Sequence, residues 1–476
     1  MRGLGLDIGT TNVKAVLVEI EAGRVTALAR ASAPTPTGGR ALQEAVGRLV
    51  LEVGPDVDAI GIASMAETGI PLDVDDAPLG DLVRWDPARA QHHAAALART
   101  YGADALFAAT GVRPSGKVPL ATWAHLQAED PDRWAAMSRW AGAADLVALA
   151  LTGRLTTDHT LAGRTMAYRL PPPGTELPPS FDAELLAAVG LRPDQLPAVT
   201  RPDDAVVGVS ADGPWGLRPG TPVVVAGHDH PVGTWAAGMR RPGDVADSVG
   251  TAEAVVRVLR ARPAPAAVAA QGMSLVRTVD GRHEALVAGS SSAGAVLAWW
   301  AERVGGHDAL EPVLAEAASR RRRPDAPVLL PYLRGRQAPL PDADARAVVV
   351  GERPDHDDVD LAAAVLDGLA LHARWLLTAQ AELAGTDAAA GEVLVLGAAA
   401  RAGSPWLRVK AAAGPAPLRV VDVEEAVAAG AAVLAAHRAG LADAVVLGSV
   451  PVPHRTDPVY DDLYARFVEA ARGGPR

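Results

Sequence analysis

Residues 3–19 (GLGLDIGTTNVKAVLVE) constrain this chain more than any other stretch. An apolar strand ends in an aspartate, a Gly-Thr-Thr turn follows, and a second apolar strand returns, the pattern of a buried hairpin. Gly9 is expected to take positive φ in that turn and to let backbone come close to a ligand. The turn offers backbone N–H groups and the hydroxyls of Thr10 and Thr11 to an anion, with Lys14 nearby. Asp7 would repel a bare phosphate but suits a hydrated Mg2+ carried on one. An ordinary β-hairpin fits the same residues.

The device recurs. Residues 244–258 (DVADSVGTAEAVVRV) again give a strand, a turn at Gly250 and Thr251, and a strand. Two copies suggest two similar lobes, each supplying a phosphate loop to one cleft.

The 476 residues suffice for two domains with separate cores. Alanine carries much of the apolar fraction and aromatics are only 4%, so helices are expected to pack through small side chains. The net charge of −11 argues against a nucleic-acid partner. The absence of cysteine excludes disulfides and thiolate chemistry. No secretory signal is visible, and the alanine-rich run 426–436 is too short to span a bilayer. These features predict a cytoplasmic protein with no membrane partner, and leave a homodimer open.

Strands are predicted at 4–6, 13–20, 25–31 and 59–63, with a helix near 41–51. Residues 87–151 are mostly helical in period, and 171–179 form a proline-rich loop. A strand at 223–226 delivers Gly-His-Asp-His (227–230) onto a helix start, and a domain boundary is placed near 240–243. The second half repeats the plan: strands at 245–249 and 254–259, a hairpin at Asp280-Gly281, and a helix from 293. A strand at 328–330, a long helix 359–383, a strand 393–396 and a helix 424–439 follow. An amphipathic helix, 457–471, closes the chain.

Asp229 is the candidate general base, since a strand end meeting a helix start projects a carboxylate beside a positive helix terminus. Phosphoryl transfer to an alcohol needs such a carboxylate to accept the hydroxyl proton. Helix capping is the competing role. His228 and His230 flank it, but no further motif of metal-ligand spacing supports a zinc site. Residues 111–118 (GVRPSGKV) imitate a P-loop without its final hydroxyl; Lys117 is read as the start of an amphipathic helix. Arg320, Arg321, Arg322 and Arg323 are read as a solvated connector.

With these residues in place the chain resembles the FGGY carbohydrate kinases of the actin and hexokinase superfamily. The resemblance runs through DIGTTNVKA (7–15), ALTGRLTTDHTLAGRT (150–165), GHDH (227–230) and DSVGTAEA (247–254). It continues through PYLRGRQAP (331–339), LDGLALHAR (366–374) and VLVLGAAARAGSPW (393–406). It implies an α/β fold of two ribonuclease-H-like domains, 1–240 and 244–476, flanking a central cleft that takes ATP, Mg2+ and a small sugar or polyol. Asp229 would be the base and Asp7 would help hold Mg2+, with Asp229 contributing through water. Thr10, Thr11, Lys14, Gly250 and Thr251 would bind phosphates; Gly294 and the loop Gly397, Ala398, Ala399, Ala400 would meet the nucleoside. The family usually shows a Gly-Gly-Gly-Ala-like run at that loop, so the added methyls here put nucleotide affinity in question.

For the acceptor, Glu67 matches the glutamate of glycerol kinases, but Ala66 replaces the arginine before it. Xylulose kinases resemble QMHG at this loop, with Glu67 standing at their histidine, and DSVGTAEA is similar to a fuculokinase-like branch. Glu67, Trp85, Asp86 and Arg89 are the pocket candidates, Trp85 being equally a core residue. A ketose kinase is expected. A polyol kinase, a non-kinase ATPase of the superfamily and a sugar-sensing binding protein that has lost turnover are the alternatives.

Overall fold

The computed structural model describes residues 1–397, 401, 403–453 and 456–473. The chain forms two compact units. The first holds Met1–Arg240, Leu275–Ala285 and Val423–Gly448; the second holds Arg241–Ser274, Leu286–Asp422 and the segment from Ser449.

In the first unit, β1 (Arg2–Ile8), β2 (Asn12–Glu21), β3 (Arg24–Pro34), β4 (Ala59–Ser64), β5 (Val207–Gly208) and β6 (Pro222–His228) form a sheet of order β3-β2-β1-β4-β6-β5. β1 runs antiparallel to β2 but parallel to β4, and β6 runs parallel to β4. Side chains alternate along a strand, so Leu4, Leu6 and Ile8 share one face of β1 and Gly3, Gly5 and Asp7 the other. The leucine face joins Leu42, Val46 and Leu49 of the helix Gly39–Val53 in the core. The glycine face lies against the alanine-rich helix Ala426–Arg438. A Cβ at Gly5 would stand 1.7 Å from the Ala428 carbonyl oxygen, and one at Gly61 1.9 Å from that of Ala431. Small residues on both partners therefore let backbone meet backbone. A second core, holding Trp123, Trp140 and Tyr168, packs the helices that follow Gln91.

A seven-stranded sheet, most of it in the second unit, is built on β7 (Val245–Val249), β8 (Glu253–Leu259), β9 (Ser274–Arg277), β10 (Glu284–Ser290), β11 (Val393–Leu396), β12 (Leu418–Val421) and β13 (Ser449–Pro451), ordered β9-β10-β8-β7-β11-β12-β13. Within it, β10-β8-β7-β11-β12 repeats the first sheet's β3-β2-β1-β4-β6. The directions repeat too, with β7 antiparallel to β8 and parallel to β11. This is the ribonuclease-H-like strand order, present in each unit.

The helix Asp358–Ala384 begins where the Asp357 carboxylate accepts the Asp360 N–H and ends at left-handed Gly385. By length and composition it could cross a membrane, but 83% of its apolar window is buried inside the protein. The arginine run before it is only in part a solvated connector, with Arg321 and Arg323 exposed. Arg322 is buried, donating to Asp367 at 2.6 Å, while the Tyr460 hydroxyl donates to the same carboxylate at 3.0 Å. Arg320 pairs with Asp357 and Asp360. These partners lie too far along the chain for local charge pattern to reveal them.

Candidate active site

The carboxyl ends of the parallel strands β1, β4 and β6 bring Asp7, Glu67 and Asp229 to one edge of the first sheet, the usual ligand edge of parallel strands. Gly227 makes the last turn of β6, with φ +125° and a register shift against β4. A Cβ there would stand 2.3 Å from Thr160 Oγ1. That hydroxyl accepts the His228 N–H at 2.9 Å and donates to Asp158 at 2.6 Å. Asp158 is in turn buried against His159 and Arg438. The segment around Thr157 and Asp158 thus sets where Asp229 starts its helix.

Asp229 is the first residue of the helix Asp229–Ala236, and the cap position is His228. Its Oδ1 accepts the His230 N–H at 2.7 Å and lies 3.1 Å from His228 Nε2. Burial opposes ionisation, but the two histidines outweigh it and hold the Asp229 carboxyl well below the usual range. Asp7 behaves oppositely. Burial, then the Asp229 charge, pushes it up to about 7 against the pull of Lys14. Asp7 Oδ1 is buried with no hydrogen-bond partner among the described residues.

In the first turn the Gly9 N–H donates to the Asn12 carbonyl at 3.0 Å. Gly9 is not left-handed, contrary to the sequence expectation. Space is what requires glycine, because a Cβ would sit 2.9 Å from the Asn12 oxygen. Thr35 takes up the Gly9 carbonyl through its hydroxyl and the Thr11 carbonyl through its N–H. The carbonyls therefore point into the fold, while Thr10 and Thr11 are exposed. No described residue accepts either N–H. Lys14 reaches Glu425 at 2.5 Å.

Glu67 sits at φ +64° and receives Arg164 at 2.7 Å, with Lys117 Nζ at 3.7 Å. Burial would raise its pKa, but Lys117 and Arg164 hold it at about 2. Lys117 is therefore no exposed helix start; the helix begins at Pro119. Neither Lys117 nor Arg164 was singled out as a site residue from the sequence. Trp85 lies at the first turn, its indole N–H donating to Thr10 Oγ1 at 3.2 Å and its backbone N–H to Thr68. Asp86 accepts the Ala88 N–H, and exposed Arg89 donates to the Arg84 carbonyl. Both serve local backbone.

The second unit builds a matching corner. The Gly250 N–H donates to the Ala252 carbonyl at 2.8 Å, and the helix Gly294–Arg303 starts against the turn. Gly294 and Ala295 donate to the Gly250 and Thr251 carbonyls, both at 3.0 Å, and a Cβ at Gly294 would stand 2.5 Å from the Gly250 oxygen. Gly397, at φ +111°, passes β7 so closely that a Cβ would meet the Val249 oxygen at 2.3 Å. Gly250, Thr251, Gly294 and Gly397 thus converge at the end of β7. Ala398, Ala399 and Ala400 lie outside the described residues. Just behind this corner, buried Lys410 binds both Asp247 and Glu253.

Gly-Thr turns thus recur on two ribonuclease-H-like sheets, the first with the Asp229 carboxylate near its Asp7, an arrangement suited to holding phosphates. Family models for the FGGY carbohydrate kinases match residues 39–235 (N-terminal domain) and 245–439 (C-terminal domain). The chain belongs to the FGGY family of carbohydrate kinases. It is 29% identical to a xylulose kinase of Streptomyces coelicolor, over 91% of this chain and 87% of that one. It is 24% identical to a gluconokinase of Bacillus subtilis, over 77% of this chain and 74% of that one. A crystal structure of a gluconate kinase from Lactobacillus acidophilus superposes with a TM-score of 0.85 at 21% identity, covering 98% of this chain and 96% of the other.

Proposed function

We propose that this carbohydrate kinase transfers the γ-phosphoryl group of ATP to a primary hydroxyl of a ketose, xylulose-like or fuculose-like, with Asp229 as the base. The observation that carries this reading is the Asp229 carboxylate, first in its helix and held between His228 and the His230 N–H, near the partnerless Asp7 oxygen. The acceptor O–H donates to Asp229, its oxygen forms a bond to the γ-phosphorus as the bond to the β-bridging oxygen breaks, and ADP leaves. Phosphate contacts are assigned to Thr10, Thr11 and Lys14 in the first unit and to Gly250 and Thr251 in the second. The nucleoside is assigned to Gly294 and the loop from Gly397. Residues 1–240 would carry the sugar site and residues 244–476 the nucleotide site.

Two neighbouring carboxylates, one with a bare buried oxygen, fit a hydrated hard cation. Asp7 and Asp229 would hold Mg2+, which neutralises phosphate charge when bound. Glu67 suits acceptor hydroxyls, with Trp85 as an apolar wall.

A second acceptor class has its own support. Arg113 is partly buried and has no hydrogen bond or ion pair among the described residues, and it acts electrostatically on Lys117. Lys117 and Arg164 face the single charge of Glu67, with Arg113 near Lys117, an excess that favours an acceptor carrying a carboxylate, such as an aldonate. ADP release measured across ketoses, polyols and aldonates with Mg-ATP decides. Ketose-dependent turnover at least roughly a hundredfold above sugar-free hydrolysis is expected; a preference for aldonates would install the second reading, and equal ATP hydrolysis without any acceptor would overturn both.

A further inference from the structure

Away from Asp229, two helices of the first unit bring together side chains that no local spacing announces. His92 and His93 belong to the helix Gln91–Tyr101, and His125 and Glu129 to the helix Pro119–Glu129. The rings of His92 and His93 are 3.8 Å apart between centroids, and His125 lies 5.7 Å from His93 and 6.3 Å from His92. Ligand atoms of His92, His93 and Glu129 all fall within 4.8 Å of one another.

Two features make this more than a chance cluster. His93 Nε2 and His125 Nδ1 are buried with no hydrogen-bond partner among the described residues, a state that costs free energy unless something binds them. Glu129 is the last residue of its helix, where the helix dipole disfavours a carboxylate unless a cation compensates. His125 stands one turn before it on the same face.

We propose that His92, His93 and Glu129, with His125 as the adjacent fourth donor, form a site for a divalent transition-metal ion of the Zn2+ type. Three imidazoles and one carboxylate select such an ion over Mg2+, which prefers oxygen ligands alone. Exposed His92 and Glu129 leave the ion an entry path. Bound there, Zn2+ staples the two helices just beyond Lys117, the residue that faces Glu67.

The test is a calorimetric titration of tag-free, metal-stripped protein with Zn2+ in excess Mg2+. It is paired with Co2+ spectra, which report four-coordinate binding in the visible. One equivalent binding at micromolar Kd or tighter is expected, with a rise in Tm. His92→Gln, at an exposed position, and His125→Gln should each weaken Zn2+ by roughly tenfold or more and leave metal-free kinase turnover unchanged. Unaltered Zn2+ affinity in both variants, or a loss seen only in His228→Gln, would overturn the assignment.

Discussion

The two Gly-Thr hairpins share a strand-turn-strand plan and differ in where their aspartates fall. With Gly9 set beside Gly250, Asp7 stands opposite Ser248, and the second hairpin's aspartate, Asp247, falls one residue earlier. Side chains alternate across a strand, so that single step sends Asp247 to the other face. There it meets Lys410 and Glu253 in a closed ionic cluster. Asp7 instead makes no ion pair among the described residues and lies close enough to Asp229 to feel its charge. Closure differs as well: the Gly9 N–H reaches the carbonyl three residues on, the Gly250 N–H the carbonyl two residues on. Under the proposed assignment one turn would serve a cation and a reacting hydroxyl, the other phosphate alone.

The sharpest way to break this division is Asp229→Asn. Turnover should fall by about 10³-fold or more with ATP affinity and Tm preserved, since the amide keeps the side chain's shape but cannot accept the proton. Near-native turnover in a kinase assay would remove Asp229 from the chemistry. Lys410→Met probes the other hairpin and should act on stability. Stranding two buried carboxylates should cost about 3–5 kcal/mol in urea unfolding, with the KM for sugar unchanged in the folded fraction. Asp7→Ser copies Ser248 into the first hairpin; about a 100-fold loss of turnover at fixed Mg2+ is expected without loss of Tm, because a buried like-charge contact disappears. A fall in Tm with normal turnover would show the two hairpins to be interchangeable.

The smallest effect concerns pH. Burial, with Asp247 competing for the one lysine, pushes the Glu253 carboxyl up to about 7. The folded chain then keeps a proton that the unfolded chain releases above about pH 4.3. This stabilisation is full at lower pH and is lost as pH rises through about 7, with a slope of up to ~1.4 kcal/mol per unit. Glu253→Gln should flatten that slope relative to the parent in unfolding curves taken from pH 5 to 8. Parallel curves would mean that Glu253 is ionised throughout.

Strands, turns and the Asp229 helix start were legible because they depend on neighbours in sequence. The repeated hairpin carried the fold class for the same reason. What stayed hidden depends on distant partners: Lys117 and Arg164 around Glu67, Arg322 under Tyr460, and the histidines at 92, 93 and 125. The conformation of Gly9 was misjudged because crowding and left-handed backbone select the same residue. One signal was overlooked. Of 45 basic residues only Lys14, Lys117 and Lys410 are lysines, and each makes an ion pair with a carboxylate at or beside a candidate site. Where arginine serves everywhere else, a compact ammonium marks places that a planar guanidinium does not fit.

The helix Ala426–Arg438, seated on Gly5 and Gly61, ties the start of the chain to a segment made late. A ribosome must thread more than four hundred residues before the glycine face of β1 receives its cover. Until then the first sheet exposes bare backbone on the side where Asp7 lies, and a product truncated before that helix would leave this face without its packing.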